Sequence, residues 1–237
     1  MTMTGEPKVT VIIPTMNEEE AIGQVMDEVN TALKGMAYEV MIVDTNSKDR
    51  TREIASSKGA RVIDEPRRGY GRAYKTGFKE AKGQFIATLD ADCTYPASDI
   101  PKFVGMLEKE KIDFVSGDRL STLGKDVMSA KHRFGNWMLK VAMNLLFGMK
   151  VADSQTGMWV FRRSILPKLN LTSDQMALSE EIKIEAAKHA KFKEVPIMYS
   201  PRVGEVKLNT WQDGYDNMMF YFSKKIGKAS KAQGERF

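Results

Sequence analysis

Apolar residues along this chain follow two alternating rhythms. Short continuous runs at 9–14, 40–43, 61–63 and 85–89, rich in β-branched residues, have the pattern of strands buried on both faces. Between the first two, Ala21, Ile22, Val25, Met26, Val29, Ala32 and Leu33 recur at helical spacing, so one face of that segment packs on a sheet. Asn17 is expected to cap this helix, with Glu18, Glu19 and Glu20 in its first turn where the helix dipole favours negative charge, and Gly35 to end it. Further helices are expected over 49–58 and 72–81. Another starts near Pro101, with Asp99 as its cap, before a strand at 114–116. Strands alternating with helices predict an α/β fold with a mostly parallel sheet, whose ligands bind beyond the carboxyl ends of the strands.

After Leu120 the alternation breaks. A helix is expected over 134–149, a short strand over 158–161, a helix over 178–189 and an extended piece over 195–199 around Pro196. From Trp211 the tail combines Met218, Met219, Phe220 and Phe222 with Lys224, Lys225, Lys228 and Lys231. That is the composition of a basic helix lying on an anionic interface, or of one docked on the core.

Composition narrows the picture. The 237 residues, 42% hydrophobic and 28% charged, suit one soluble domain, and no linker or internal repeat divides them. Cys93 is the only cysteine, so no intrachain disulfide and no multi-cysteine metal site can form, and a reducing, cytoplasmic setting is expected. The first residues lack the apolar core of a signal peptide, and no run of about 18 apolar residues appears. A formal charge of +5 favours anionic partners, yet no nucleic-acid-binding motif accompanies it, so nucleic acid is not expected among them.

Four segments carry candidate chemistry, each at a predicted strand end or the loop after it: 13–18 ending Pro14-Thr15-Met16-Asn17-Glu18, 43–51 beginning Val43-Asp44-Thr45, the glycine-containing loop 69–78, and Leu89-Asp90-Ala91-Asp92. Two carboxylates one residue apart after an apolar strand suit Mg²⁺ or Mn²⁺, which accepts one or two protein carboxylates and completes its octahedron with water and substrate phosphate oxygens. An isolated pair of this kind reads more readily as a solvated turn with one Asp capping a helix. In this order, the four segments resemble the family-two glycosyltransferases of GT-A fold, and most closely the branch of dolichyl-phosphate mannose synthases that glycosylate polyprenyl phosphates. Later segments are similar too: Gly117-Asp118-Arg119, Asp153-Ser154-Gln155-Thr156-Gly157 with Phe161-Arg162-Arg163, Glu181, the stretch 193–197, and Arg202, Gly204 and Lys207.

The resemblance implies a GT-A catalytic domain over 1–209, with a donor half over 8–120 and an acceptor half over 121–209, followed by a basic tail over 210–237. It implies a nucleotide-sugar site at Pro14, Met16, Glu18, Asp44, Thr45, Gly71, Asp90 and Gln155, and a metal held by Asp92 with Thr94. Asp92, Arg119 and Arg202 would be catalytic, and Arg119, Arg133, Arg202 and Lys207 would bind the acceptor phosphate. The expected reaction transfers a sugar from a GDP-mannose, UDP-glucose or UDP-N-acetylhexosamine class donor to dolichyl or polyprenyl phosphate by metal-assisted inverting displacement. Such an enzyme would sit peripherally on the cytoplasmic face of a membrane, through the membrane surface or a small membrane-anchored subunit. The chain departs from the family pattern at Met16 (usually Tyr), Thr45 (Asp), Thr94 (Gln) and Val206 (Ser). A transferase for soluble or saccharide acceptors, and a non-catalytic nucleotide-sugar-binding subunit, are the alternatives. His132 and His189 are expected to be solvent-facing or structural.

Overall fold

A computed structural model gives the fold and describes residues 6–122, 124, 128–204 and 210–227. In chain order the elements are β1 (Val9–Thr15), α1 (Ile22–Ala32), β2 (Tyr38–Asp44), α2 (Thr51–Ser57), β3 (Arg61–Asp64), α3 (Tyr70–Glu80), β4 (Phe85–Thr88), α4 (Ile100–Lys109), β5 (Phe114–Asp118), α5 (Ala130–Phe147), β6 (Trp159–Arg162), α6 (Leu178–His189), β7 (Phe192–Pro196) and α7 (Thr210–Lys225). Seven strands form one sheet in the order β3-β2-β1-β4-β6-β5-β7. All neighbours are parallel except β6, which runs against both β4 and β5.

The continuous apolar runs are explained by burial of the sheet on both sides. Val9, Val11 and Ile13 of β1 face one layer, where Ile22, Val25, Met26 and Val29 of α1 meet Ile100, Phe103, Val104 and Leu107 of α4. Ile12, one residue out of phase, faces the other layer with Ala73, Tyr74 and Phe78 of α3 and Leu178, Ile182 and Ala186 of α6. A third cluster joins Leu139 and Met143 of α5 to Val151 in the following loop, Ile184 of α6 and Tyr221 of α7.

Three local expectations are corrected. Asn17 does not cap α1: it adopts a left-handed backbone (φ 55°), and its side-chain oxygen accepts from Lys48 N–H at 2.7 Å. Glu18 and Glu19 likewise donate their N–H groups to Thr51 and Asp49, so the acidic turn is stitched to the 47–51 loop and the helix starts later, at Ile22. The last strand lies at Phe192–Pro196 rather than 195–199; Phe192 stacks on Phe114, with ring centroids 5.6 Å apart, while Lys193 and Glu194 are only half-buried, which hides this edge strand from an apolar pattern. Helix α5 begins a turn earlier than expected, with Ser129 accepting from His132 N–H, and stops at Gly148 in the left-handed conformation.

Candidate active site

Because β6 runs backwards, the beginning of that strand shares an edge with the carboxyl ends of β4, β5 and β7. A cavity of about 360 Å³ opens there, and Asp90, Asp92, Thr94, Arg119, Gln155 and Arg202 all line it. Six of the expected site residues, drawn from four separate segments of chain, therefore converge.

The two aspartates after β4 have different surroundings. Asp92 is buried; one carboxylate oxygen accepts from Thr94 N–H at 3.1 Å and from its hydroxyl at 2.6 Å, and the other accepts from Arg202 Nη1 at 2.8 Å. Asp90 opens onto the cavity but is ringed by aromatic side chains, with the Tyr70 and Tyr74 hydroxyls 3.4 and 3.5 Å from Oδ1. Withdrawal from water and the neighbouring Asp92 carboxylate push the Asp90 carboxyl up to about 7, against the pull of Arg119 and Arg202. Gly157 makes this arrangement possible: a Cβ there would lie 2.3 Å from the Tyr70 hydroxyl.

Arg119, at the tip of β5 and 7% exposed, is held along one edge. Its backbone N–H, Nε and Nη2 donate to Asp153 at 3.0, 2.7 and 2.9 Å, and its guanidinium lies 5.2 Å from the Tyr199 ring centre. Asp153 is in turn fixed by Gln155 N–H, while Lys183 Nζ donates to its backbone oxygen at 2.8 Å. Burial pushes the Lys183 ammonium down to about 8 against the raising effect of Asp153. Although burial opposes it, the adjoining Arg119 and Lys183 charges and the hydrogen bonds from Arg119 hold Asp153 at about 2. Gln155 donates to Glu180 at 2.7 Å and accepts from Asn217 of α7 at 3.2 Å. Burial pushes the Glu180 carboxyl up to about 7.

A second group occupies the neighbouring tips of β1 and β2, outside the cavity wall. Asp44 is fully buried; its oxygens accept from Thr15 Oγ1 at 2.9 Å and Ser47 N–H at 3.0 Å, and Arg52 pairs with it at 3.6 Å. Thr45 donates its N–H to Thr15 at 2.8 Å, Pro14 sits in register with Val43, and Arg68 reaches the Met16 sulfur at 3.7 Å. Glu18 links the two groups, accepting from Arg202 Nη2 at 3.0 Å. Gly71 lies at the start of α3 beneath the 173–175 loop, where a Cβ would meet Ser173 O at 2.5 Å. Arg133 is exposed on α5 and does not line the cavity, and Lys207 lies outside the described residues.

Several wall residues carry no signal of their own in the sequence: Tyr95, Tyr199, Asp213, Gly214 and Asn217. The last three belong to α7, so the wall continues past the division expected at residue 209. Glu181, matched to an acidic motif position, faces away from the cavity, binding Thr172, Ser173 and Lys224.

The donor set suits a hard divalent ion that is shared with substrate. Asp92 already accepts a cationic group at Oδ2, and the Thr94 oxygen stands beside it. Among the described residues no group of three or more carboxylate, imidazole or thiolate ligands forms a self-sufficient metal cage.

Residues 10–169 match the family model described as Glycosyl transferase family 2. A low-salt glycan biosynthesis hexosyltransferase of Haloferax volcanii is 36% identical over 96% of this chain and 56% of its own length. A dolichyl-phosphate hexose transferase of the same organism is 38% identical, over 86% of this chain and 88% of its own. A dolichol-phosphate mannosyltransferase of Pyrococcus furiosus is 30% identical over 96% and 65%. The chain thus spans just over half of the first relative and most of the second. Among solved structures, glucosyl-3-phosphoglycerate synthase of Mycobacterium tuberculosis, crystallised with Mn²⁺, UDP and glucosyl-3-phosphoglycerate, superposes with a TM-score of 0.72. That match has 19% identity over 93% of this chain and 80% of that one, and establishes the GT-A-like fold.

Proposed function

This chain belongs to glycosyl transferase family 2, and from that premise we propose that it transfers a hexose from a nucleotide-diphosphate sugar to a polyprenyl phosphate such as dolichyl phosphate. The observation that carries this reading is the convergence of Asp92, Thr94, Arg119 and Arg202 in one cavity at the carboxyl edge of the sheet. The names of two relatives, a dolichyl-phosphate hexose transferase and a dolichol-phosphate mannosyltransferase, support the lipid phosphate as acceptor.

In this reading the base and ribose lie over the β1 and β2 tips, beside Pro14, Met16, Glu18, Asp44 and Thr45. Asp92 and Thr94 hold Mg²⁺ or Mn²⁺, which when bound supplies positive charge to the departing diphosphate. Arg119, oriented by Asp153, and Arg202 hold the acceptor phosphate through planar N–H forks. An acceptor oxygen then bonds the anomeric carbon as the bond to the donor diphosphate breaks, and the electron pair leaves with the nucleoside diphosphate. The configuration inverts. A phosphomonoester is already mostly ionised near neutral pH, so the residues need to position it rather than deprotonate it. Gln155, clamped by Glu180 and Asn217, presents a fixed amide to the sugar.

The helical surface beside the cavity fits a lipid substrate. Helix α5 is apolar on two opposite sides: Leu139 and Met143 are buried, whereas Phe134, Trp137, Met138 and Leu145 are exposed, with Tyr215, Met219 and Phe222 exposed on α7. No described helix is long and apolar enough to cross a membrane, so this surface would rest in the interface. Lys224, expected to face anionic lipid, instead pairs with Glu181 and Glu185, its side chain 6% exposed, so the basic contact would come from residues such as the exposed Arg133. A soluble-acceptor enzyme would not need the outward apolar face.

The test uses full-length protein, Mn²⁺, radiolabelled nucleotide sugars and a polyprenyl phosphate. Label should move into the organic phase, and Asp92→Ala should reduce that transfer at least about a hundredfold while leaving the thermal unfolding curve in place. Label remaining in water with a soluble acceptor would select the alternative enzyme, and full turnover by Asp92→Ala would remove the metal assignment. A thermal-shift screen of nucleoside diphosphates with and without Mn²⁺ identifies the donor base, because stabilisation follows occupancy.

A further inference from the structure

Arg202 sits where a metal-binding reading needs room. Its two terminal nitrogens reach two carboxylates from different strands, Asp92 of the β4 tip at 2.8 Å and Glu18 of the β1 tip at 3.0 Å. The lone pairs of Asp92 that it occupies belong to the one oxygen not already satisfied by Thr94. The hold is incomplete: Arg202 Nε is buried with no hydrogen-bond partner among the described residues. Its loop rides on the aspartate segment, with Ser200 N–H donating to Thr94 O and Val203 N–H to Asp92 O, each at 3.0 Å. Gly204, two residues on, takes a left-handed backbone (φ 84°) beside Glu18.

We propose that Arg202 is a built-in counter-cation of the donor site, displaced from Asp92 when metal and diphosphate arrive and only then available to the acceptor phosphate. The inference rests on the reading that Asp92 holds the metal. A guanidinium and a divalent ion crowded onto one carboxylate repel each other, as like charges a few ångströms apart do in a site partly withdrawn from water, so arrival of the metal weakens the hold of Arg202 on Asp92. The protein therefore holds a surrogate cation that neutralises Asp92 and Glu18 in the empty state, and it gains an anion-binding group when the real cation enters. The consequence is an order of addition, donor with metal first and acceptor phosphate second. The coupling is reciprocal: whatever metal does for anion affinity, the anion does for metal affinity.

Two measurements on the full chain test this. In the first, binding of Mn²⁺ alone is followed by the electron paramagnetic resonance of the free ion. Arg202→Gln should bind Mn²⁺ about tenfold or more tightly than wild type, Arg202→Lys, which keeps the charge, should stay within about threefold of it, and Asp92→Asn should lose binding. Unchanged affinity in Arg202→Gln with loss in Asp92→Asn overturns the counter-cation while leaving the metal reading intact. Undiminished binding in Asp92→Asn overturns the metal reading itself. Equal gains in the glutamine and lysine variants would mean that loop packing, not charge, is responsible, and would also overturn the proposal. In the second, geranyl phosphate is titrated calorimetrically into wild type. Its affinity should rise at least about fivefold when Mn²⁺ and inorganic pyrophosphate are present, and absence of that gain rules out the order.

Discussion

Glu180 sits fully buried; Gln155 donates a hydrogen bond to one carboxyl oxygen, and the other has no partner among the described residues. Its folded-state pKa of about 7, raised from 4.5, means the folded protein binds a proton that the unfolded chain releases. Stability from this group is therefore complete below about 4.5 and falls as pH rises to about 7, by at most on the order of 3 kcal/mol. Glu180→Gln keeps an oxygen for Gln155 without the charge. Urea unfolding should show the variant near wild type at pH 4.5 and more stable than wild type at pH 8, and parallel pH curves for the two proteins would show that burial of Glu180 carries no such penalty. The family resemblance singled out Glu181, and nothing in the sequence drew attention to Glu180. The two adjacent acids differ only in which way the helix turns them, one toward Gln155 and the other toward Thr172 and Lys224.

Among the elements, the strands buried on both faces were the most legible, because nothing except a layered sheet explains an unbroken β-branched run such as 9–13. Helix ends were less so. The start of α1 depends on contacts with Ser47, Asp49 and Thr51, some thirty residues away, which no local capping rule contains. The start of α3 shows the same limit. Gly71 resembles a nucleotide-contacting glycine, yet the space it lacks is taken by backbone at Ser173, Asp174 and Gln175. Gly71→Ala should therefore destabilise the protein by roughly 1–3 kcal/mol through overpacking. A lowered thermal midpoint in the absence of any nucleotide checks this; a midpoint at the wild-type value would return Gly71 to the ligand.

At the scale of the whole molecule, the sequence located the sheet edge that holds the site, through acidic and polar residues gathered at successive strand ends. It could not locate the wall that α7 supplies, since Asp213 and Asn217 are unremarkable until tertiary packing carries them to the cavity, where Asn217 meets Gln155. The two-sided α5 was visible only as an amphipathic helix, because its outward side is defined by what fails to cover it. With Phe134 64% and Trp137 52% exposed, the double substitution Phe134→Asn and Trp137→Asn should weaken binding to vesicles containing anionic phospholipid by about tenfold or more, with no loss of folded protein. Sedimentation of vesicles with wild type and variant measures it, and equal sedimentation would leave the exposed rings without a membrane role.

The reversed strand β6 divides labour along the sheet. On one side of it lie the four strands β1 to β4, which come first in the chain and alternate with helices α1 to α3, and on the other lie β5 and β7. Most residues that would grip the nucleotide and those that would grip the acceptor are thus carried on two blocks joined through one strand that is antiparallel to both. Exchange of loops on the β5 and β7 block would leave the backbone pairing of the β1 to β4 block unaltered, which is how one donor-binding block would be fitted to new recipients.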